Sequence, residues 1–544
     1  MEPMEPMETY DGIVLGAGHN GLILQAYAGL AGLRVLAVDR AATAGGGLAT
    51  VENPRHPGFR HNTHSFFHRA LTDMPWYRDL DLERHGARYI EPALNVAMLL
   101  SDGTSLQWWT DFARTRASVA ALSQRDAETL QRWHDAFRPI VRDILRPEAA
   151  APPLPAGLRR DILGRTAEGR LLLEVAALSP LAFVEREFEH PAVRAGLLFF
   201  NGLREVDLRL PGFGHHIPAL LASPAKAQMA VGGAARLARA LERAVRQSGG
   251  AILTGVAPRR IRVEGGRATG VELSDGRVFA ARRFVASSLN PQQTFLDLIA
   301  PEHLPAAWRR KAAGFRYNLL APLFALDLAL DAPPAYAAAE RDPALADAFM
   351  VILGLDHVDR FREIVRHHEA GTLPPTVMWG ACPTRFDPSQ APAGRHTAFM
   401  WEKLPYRLRG DPANWDAERE RHGAAMLDLW ESYAPGLKAQ VIDADARSPL
   451  DTERALPNMR EGDLLVGAFA HGQVGHDRPF PGAGSYRAPL DGLYLCGSAC
   501  HPGGNVTGLP GYNAAQVLLA DLGIRADWMP GPLAGRLPGG AGTP

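Results

Sequence analysis

Ile13-Val14-Leu15-Gly16-Ala17-Gly18-His19-Asn20-Gly21, followed a short way on by Arg34-Val35-Leu36-Ala37-Val38-Asp39, is the stretch that decides the fold. It reads as a strand, a tight glycine turn, a helix, and a second strand ending on an acid. The glycines have separate jobs. Gly16 permits the turn, Gly18 lets backbone N–H groups approach a pyrophosphate, and Gly21 lets the helix pack on the strand. Asp39 stands where a carboxylate accepts hydrogen bonds from a ribose hydroxyl pair. A glycine-rich loop alone often only makes a turn; the strand, helix and acid around this one mark a dinucleotide site.

Working outward, Gly45-Gly46-Gly47-Leu48-Ala49-Thr50 is a second glycine cluster directly after the acid. Three consecutive glycines are more than a plain loop needs, so the backbone is expected to run close to a ligand again. His61, His64 and His68 follow at the spacing of one helical face. No cysteine or acidic cluster accompanies them, and Pro57-Gly58 argues against a long helix, so no metal site is expected. Histidines that line a pocket or pack are the expectation instead.

Residues 105–224 read as mostly helical with proline-rich breaks. Ser123-x-x-Asp126 resembles a capping box before an amphipathic face, and Ser179-Pro180 reads as a helix start. From Gln228 strands and helices alternate again: a helix through Leu237, Leu241 and Val245, strands at Ala251 to Thr254 and Pro258 to Val263, and a buried strand at Phe284 to Ser287. Residues 301–484 bring strands at Leu323 to Leu330 and His396 to Trp401, with helices near 341–370 and 415–433. A closing strand, Leu493-Tyr494-Leu495, runs into Cys496-Gly497-Ser498 and His501-Pro502-Gly503-Gly504-Asn505-Val506-Thr507-Gly508, and helical spacing follows from Gly511 to Leu522.

The chain has 544 residues, 46% of them hydrophobic and 22% charged, which calls for two or more globular domains. A formal net charge of -1 offers no electrostatic case for nucleic acid. No apolar run has the length of a spanning helix, and the N-terminus lacks the basic and apolar regions of a signal peptide. Three cysteines fit a reducing compartment, so a cytoplasmic location is expected. Cys496 and Cys500 are spaced C-x3-C, which does not favour a dithiol redox pair.

Gly16 to Gly21 with Asp39, the Gly45-Gly46 doublet with Thr50, the Gly270 to Gly276 turn, Asp387-Pro388-Ser389-Gln390-Ala391-Pro392 and the closing Leu493 to Gly508 segment together resemble the phytoene desaturase and phytoene-dehydrogenase-related flavoproteins of the amine oxidase superfamily. The resemblance covers nearly the whole chain from Tyr10 to Leu522. It implies an α/β fold in which a Rossmann-like FAD-binding domain (10–70, 225–300 and 485–524) is interleaved with an α+β substrate domain carrying a helical insertion (71–224 and 301–484); residues 525–544 read as a disordered tail. It implies FAD as the cofactor, with Gly16, Gly18 and Gly21 at the pyrophosphate and Asp39 at the adenosine ribose. Gly46, Gly47 and Thr50 belong to the same cradle, and Val256 meets the adenine through its backbone. Gly497 and Ser498 lie at the second phosphate and ribityl chain, and Val506, Thr507 and Gly508 at the flavin, where a helix N-terminus stabilises negative charge. Asp39 stands where the superfamily commonly has Glu, and Ser498 where it often has Asp.

The activity this implies is an oxidoreductase, a dehydrogenase, desaturase or oxidase, taking hydride from a C–H bond of a small, largely apolar substrate onto flavin N5. The electron acceptor is oxygen, a quinone or another diffusible carrier. Desaturation also needs a base, and His64 and His501 are the candidates, on the expectation of a pKa near neutrality. A redox-neutral FAD-dependent isomerase and a non-catalytic binding protein on the same fold are the alternatives. The resemblance also allows peripheral membrane contact without a spanning segment.

Overall fold

The computed structural model describes residues 8–202, 206–224 and 226–540. Residues 1–7, read above for a leader, and 541–544, the end of the expected tail, lie outside the described residues.

The opening stretch folds as β1 (Glu8–Leu15), α1 (His19–Leu30) and β2 (Val35–Val38). Ile13, Val14 and Leu15 are wholly buried, as a parallel strand covered on both faces must be. Later segments return to the same sheet: α2 (Ala235–Gln247), β3 (Ala251–Leu253), β4 (Pro258–Glu264), β5 (Arg267–Leu273), β6 (Val278–Ser287) and β7 (Leu493–Leu495). The strand order is β3-β2-β1-β6-β5-β4, with β7 also paired to β6. Strands β3, β2, β1, β6 and β7 are mutually parallel, while β4 and β5 form an antiparallel ribbon. The last helix on this sheet, α3 (Leu509–Asp521), crosses α1 so closely that a Cβ on Gly511 would stand 2.2 Å from the Asn20 carbonyl oxygen. That contact brings to one place the N-termini of two helices from opposite ends of the sequence.

A second seven-stranded sheet is built from the intervening segments. Its order is Val441–Arg447, Leu323–Leu330, His396–Lys403, Met378–Ala381, Met350–Leu353, Leu94–Leu99 and Ser105–Trp109. All its pairings are antiparallel except that of Met350–Leu353 with Leu94–Leu99. Helices between 112 and 222 pack over one face and share a core with it.

Several expectations change. Ser105–Trp109 is a strand, and the expected helix over 341–370 is a strand at Met350–Leu353 followed by a helix only from Asp359 to Ala370. Ser123 does cap its helix by accepting from the Asp126 N–H, but the Asp126 carboxylate turns away to accept from Glu189 N and His190 N, so the reciprocal box is absent. The tertiary partner offers two N–H donors where the box offers one. Ser179 caps the helix Pro180–Glu187 as read. Residues 525–540 are not a loose tail: they include a short helix, α4 (Leu533–Arg536), with Leu533 and Leu537 buried.

Candidate active site

The glycine turn lies between β1 and α1. A Cβ on Gly21 would meet the Gly16 carbonyl oxygen at 2.2 Å, so only glycine lets the helix seat on the turn. Gly16 has φ +90°. A Cβ on Gly18 would meet nothing within 4 Å, which leaves open space beside the start of α1. Gly45 N donates to the Ala17 carbonyl at 2.8 Å, and Gly46 lies against Gly18, so the second glycine cluster runs alongside the first. Asp39 binds the turn itself: its carboxylate accepts from Ala17 N at 2.7 Å and Ala41 N at 2.8 Å. Burial pushes its carboxyl above the usual range against the pull of those two donors. Val256 donates its N–H to the Asp39 carbonyl at 3.1 Å.

Thr50 joins two segments. Its hydroxyl donates to Asn62 Oδ1 at 2.9 Å and accepts from Ala235 N at 3.1 Å, tying the hairpin Thr50–Glu52/Arg60–Asn62 to the start of α2. Asn62 Oδ1 accepts from Ala234 N, and Asn62 Nδ2 donates to Gln390. Asp387 accepts from Gly232 N at 2.6 Å and from Gln390 Nε2 at 2.9 Å. The Asp387-Pro388-Ser389-Gln390 segment therefore holds the Gly232 amide just ahead of α2 and steadies Asn62, which with Thr50 satisfies amides that the helix start leaves unbonded.

The closing segment meets the opening one directly. Asn20 Nδ2 donates to Ser498 Oγ at 3.1 Å across 478 positions, and Trp76 Nε1 donates to the Thr507 carbonyl at 2.8 Å. Gly508, at φ +66°, starts α3; a Cβ there would strike Ile23 and Trp76 at 2.5 Å. Val506 sits at φ +53°, a conformation a β-branched residue rarely adopts. Gly497 is pressed against the Ser288 backbone.

From this junction a cavity of about 780 Å³ extends to the second sheet. Gly47, Ser498, Val506 and Thr507 line one side; Trp379 and Trp401 line the other. His64 and His501 both face it. His64 Nδ1 is 2.9 Å from Thr63 Oγ1, and burial, then the Arg447 guanidinium, lowers its pKa to about 3. His501 Nε2 is 2.9 Å from the Glu148 carbonyl, so that nitrogen carries the proton; burial lowers its pKa to about 4. Neither has the near-neutral pKa expected from sequence, because the cavity wall removes water from the charged form. Of the other histidines in the run, His61 lies 3.9 Å from Asp327, and His68 bridges Ser65 and Tyr89. Among the described residues no cluster has the makings of a metal site. The three cysteines are free and buried, and burial pushes the Cys496 thiol well above its ordinary range and Cys500 up to about 12.

No protein-family model matches the chain. It is 29% identical to a limonene dehydrogenase polypeptide of Castellaniella defragrans over 96% of this chain and 97% of that one. It is 25% identical to hydroxyneurosporene desaturase of Cereibacter sphaeroides over 94% and 98%. Among solved structures, cyclohexylamine oxidase from Brevibacterium oxydans superposes with a TM-score of 0.58 at 16% identity, covering 95% of this chain and all of that one. Over nearly its whole length the chain is similar to these curated dehydrogenase and desaturase sequences.

It is an FAD-dependent oxidoreductase. The described residues fit the cofactor: the space that a Gly18 Cβ would enter is open and is bordered by two glycine runs and a helix N-terminus, a setting that suits an anionic phosphate group. Sequence reasoning passed over Asn20, Trp76 and Ser288. Asn20 lay inside the quoted motif, but its partner Ser498 is distant in sequence. Ser288 Oγ donates to the Leu15 and Gly16 carbonyls, and nothing in its local sequence signals that. Trp401 read simply as the end of a strand, and Trp379 was not singled out.

Proposed function

We propose that this flavoprotein is a dehydrogenase acting on a C–H bond of a small, largely apolar molecule, with the cavity between the closing loop and the Trp379/Trp401 wall as its substrate site. The observation that carries this is the continuity of that cavity from Ser498 and Thr507 to the two tryptophans. Bound FAD supplies a hydride acceptor at its N5. Gly16, Gly18, Gly21, Gly46 and Gly47 let the backbone close around the pyrophosphate, and Asp39 takes the ribose while bracing the turn. The Val256 carbonyl meets the adenine. Gly497 and Ser498 hold the ribityl side, and Val506, Thr507 and Gly508 present the start of α3 to the flavin, where its dipole favours negative charge.

Phe66, Trp379 and Trp401 exclude water from the substrate and set its orientation by shape. His64 is the better of the two candidate bases. In the tautomer whose Nδ1–H donates to Thr63 Oγ1, Nε2 is left to accept a proton from the carbon beside the reacting one. His501 is a positioning residue, its Nε2–H committed to Glu148. A single dinucleotide turn favours oxygen, a quinone or another diffusible carrier as electron acceptor over a second nucleotide site. The likeness to the limonene dehydrogenase polypeptide makes cyclic ten-carbon alkenes the first substrates to try.

Anaerobic mixing of the FAD-loaded protein with limonene and related cyclic alkenes should bleach the flavin absorbance. Absence of bleaching, combined with product formation only after prior reduction of the flavin, would replace this proposal with the redox-neutral isomerase.

A further inference from the structure

Arg478 is 1% exposed, and its guanidinium is wrapped in backbone carbonyls. Nη1 donates to Ala468 O at 3.2 Å and Gln473 O at 3.1 Å. Nη2 donates to Gly467 O and Ser498 O, each at 3.2 Å, and to Val466 O at 3.5 Å. The same group lies over the Phe469 ring, 4.3 Å from its centroid. An arginine keeps its proton in a protein, so this is a fixed positive charge taken out of water. Carbonyl dipoles and a π face make that placement tolerable without neutralising the charge.

The charge is placed beside the closing motif. Ser498, whose carbonyl Arg478 holds, shares the cavity wall with Thr507. The loop that supplies the other acceptors presses on the glycines just ahead of Val506. A Cβ on Gly503 would stand 2.3 Å from the Phe469 ring, and one on Gly504 would stand 2.7 Å from the Leu465 carbonyl oxygen. Asp463 braces that loop, its carboxylate accepting from Asn318 N, Leu465 N and Gly467 N at 2.8 Å each. The field of Arg478 runs along the closing motif as well. Burial raises the Cys500 thiol and the guanidinium draws it back, while burial lowers the His501 imidazole and the guanidinium pushes it the same way.

Resting on the reading that Gly497 to Gly508 borders the flavin, we infer that Arg478 is a redox-tuning residue, whose buried charge behind that loop holds up the reduction potential of bound FAD. Uptake of two electrons with fewer than two protons leaves a flavin more negative than before. A fixed cation in a low-dielectric setting stabilises that form over the oxidised one, in the same sense as the dipole of α3. Arg478 acts from behind the loop through its field, so its role lies in the potential and not in a proton transfer.

The test is a spectrophotometric redox titration of the FAD-loaded full chain, with dithionite as reductant and a reference dye. Arg478→Gln keeps a hydrogen-bond donor and drops the charge. It should move the reduction equilibrium by about tenfold or more toward oxidised flavin, a fall of about 30 mV for two electrons. Arg478→Lys keeps the charge and should stay within about threefold of wild type. A smaller shift in Arg478→Gln with FAD bound stoichiometrically, or an Arg478→Lys variant that falls as far, overturns the inference and leaves the flavin assignment intact. Should Arg478→Gln fail to retain FAD, the wild-type potential decides: a value above that of free FAD supports the inference, and one at or below it overturns it. Wild-type protein that binds no FAD overturns both.

Discussion

At residue scale, the two outer glycines of the Gly18-His19-Asn20-Gly21 turn separate ligand binding from folding. Gly18 has extended backbone at φ -71°, ψ 169°, which alanine adopts without strain, and its Cβ would enter only the open cradle. Gly18→Ala should therefore fold normally and lose FAD affinity by about tenfold or more, about 1.4 kcal/mol, measured by titrating apoprotein with FAD. Gly21→Ala would drive a methyl into the Gly16 carbonyl. It should destabilise the fold by about 1 to 3 kcal/mol, read by denaturant unfolding of the apoprotein. Equal effects of the two substitutions on stability would remove the distinction. His64 makes a prediction about pH. Its pKa of about 3 leaves it neutral throughout the physiological range, so an acid limb of kcat between pH 5 and 7 should not arise from it. Replacement by Gln should lower kcat by about a hundredfold without moving that limb.

At the scale of elements, side chains from distant segments satisfy helix starts. The Asp387 carboxylate holds the Gly232 amide and orders Gln390, which in turn holds Asn62. Asp387→Ala leaves that amide and the Gln390 side chain without their acceptor in a buried setting. It should cost about 1 to 3 kcal/mol of stability, with Asp387→Asn costing less, as thermal unfolding would reveal. Asn20 joins α1 to both Ser498 and α3, donating to Ser498 Oγ and accepting from Gly511 N at 3.4 Å. Asn20→Ala should weaken FAD binding and lower stability together, because one side chain registers the opening motif on the closing one. If affinity fell with unfolding unchanged, Asn20 would be a ligand contact and not a staple.

At the scale of the molecule, burial of many neutral histidines ties stability to acid. His64 and His68 are lowered to about 3, and His19, His368 and His501 to about 4, each chiefly by burial. The unfolded chain takes up these protons near pH 6.5, whereas the folded chain does so only near 3 to 4. The unfolded state thus binds more protons between those limits, so stability is full above about pH 6.5 and falls as pH drops toward 4, each tenfold change in proton affinity being worth about 1.4 kcal/mol. Melting temperature measured from pH 7.5 down to 4.5 should fall steadily below about 6.5. A flat profile would show that these rings are solvated in the folded protein.

The part of the structure legible from residue types alone is local. Gly16, Gly18, Gly21 and Asp39 specify a turn whose geometry depends only on the absence of side chains and on one carboxylate within reach, so the dinucleotide module and the strands β1, β2, β3, β4 and β6 were legible. So were the helix cap at Ser179 and the helix Trp415–Tyr433. Tertiary structure decided whatever depends on partners far along the chain. It turned Asp126 from its own helix to the Glu189 and His190 amides, committed Thr50 to α2, and set His64 and His501 well below neutrality by removing water. It also docked a glycine- and proline-rich end through Trp528, Leu533 and Leu537. The physical reason is common to these cases: a hydrogen bond or a buried ring is worth what its surroundings make it, and those surroundings come together only when segments hundreds of residues apart meet around one cavity.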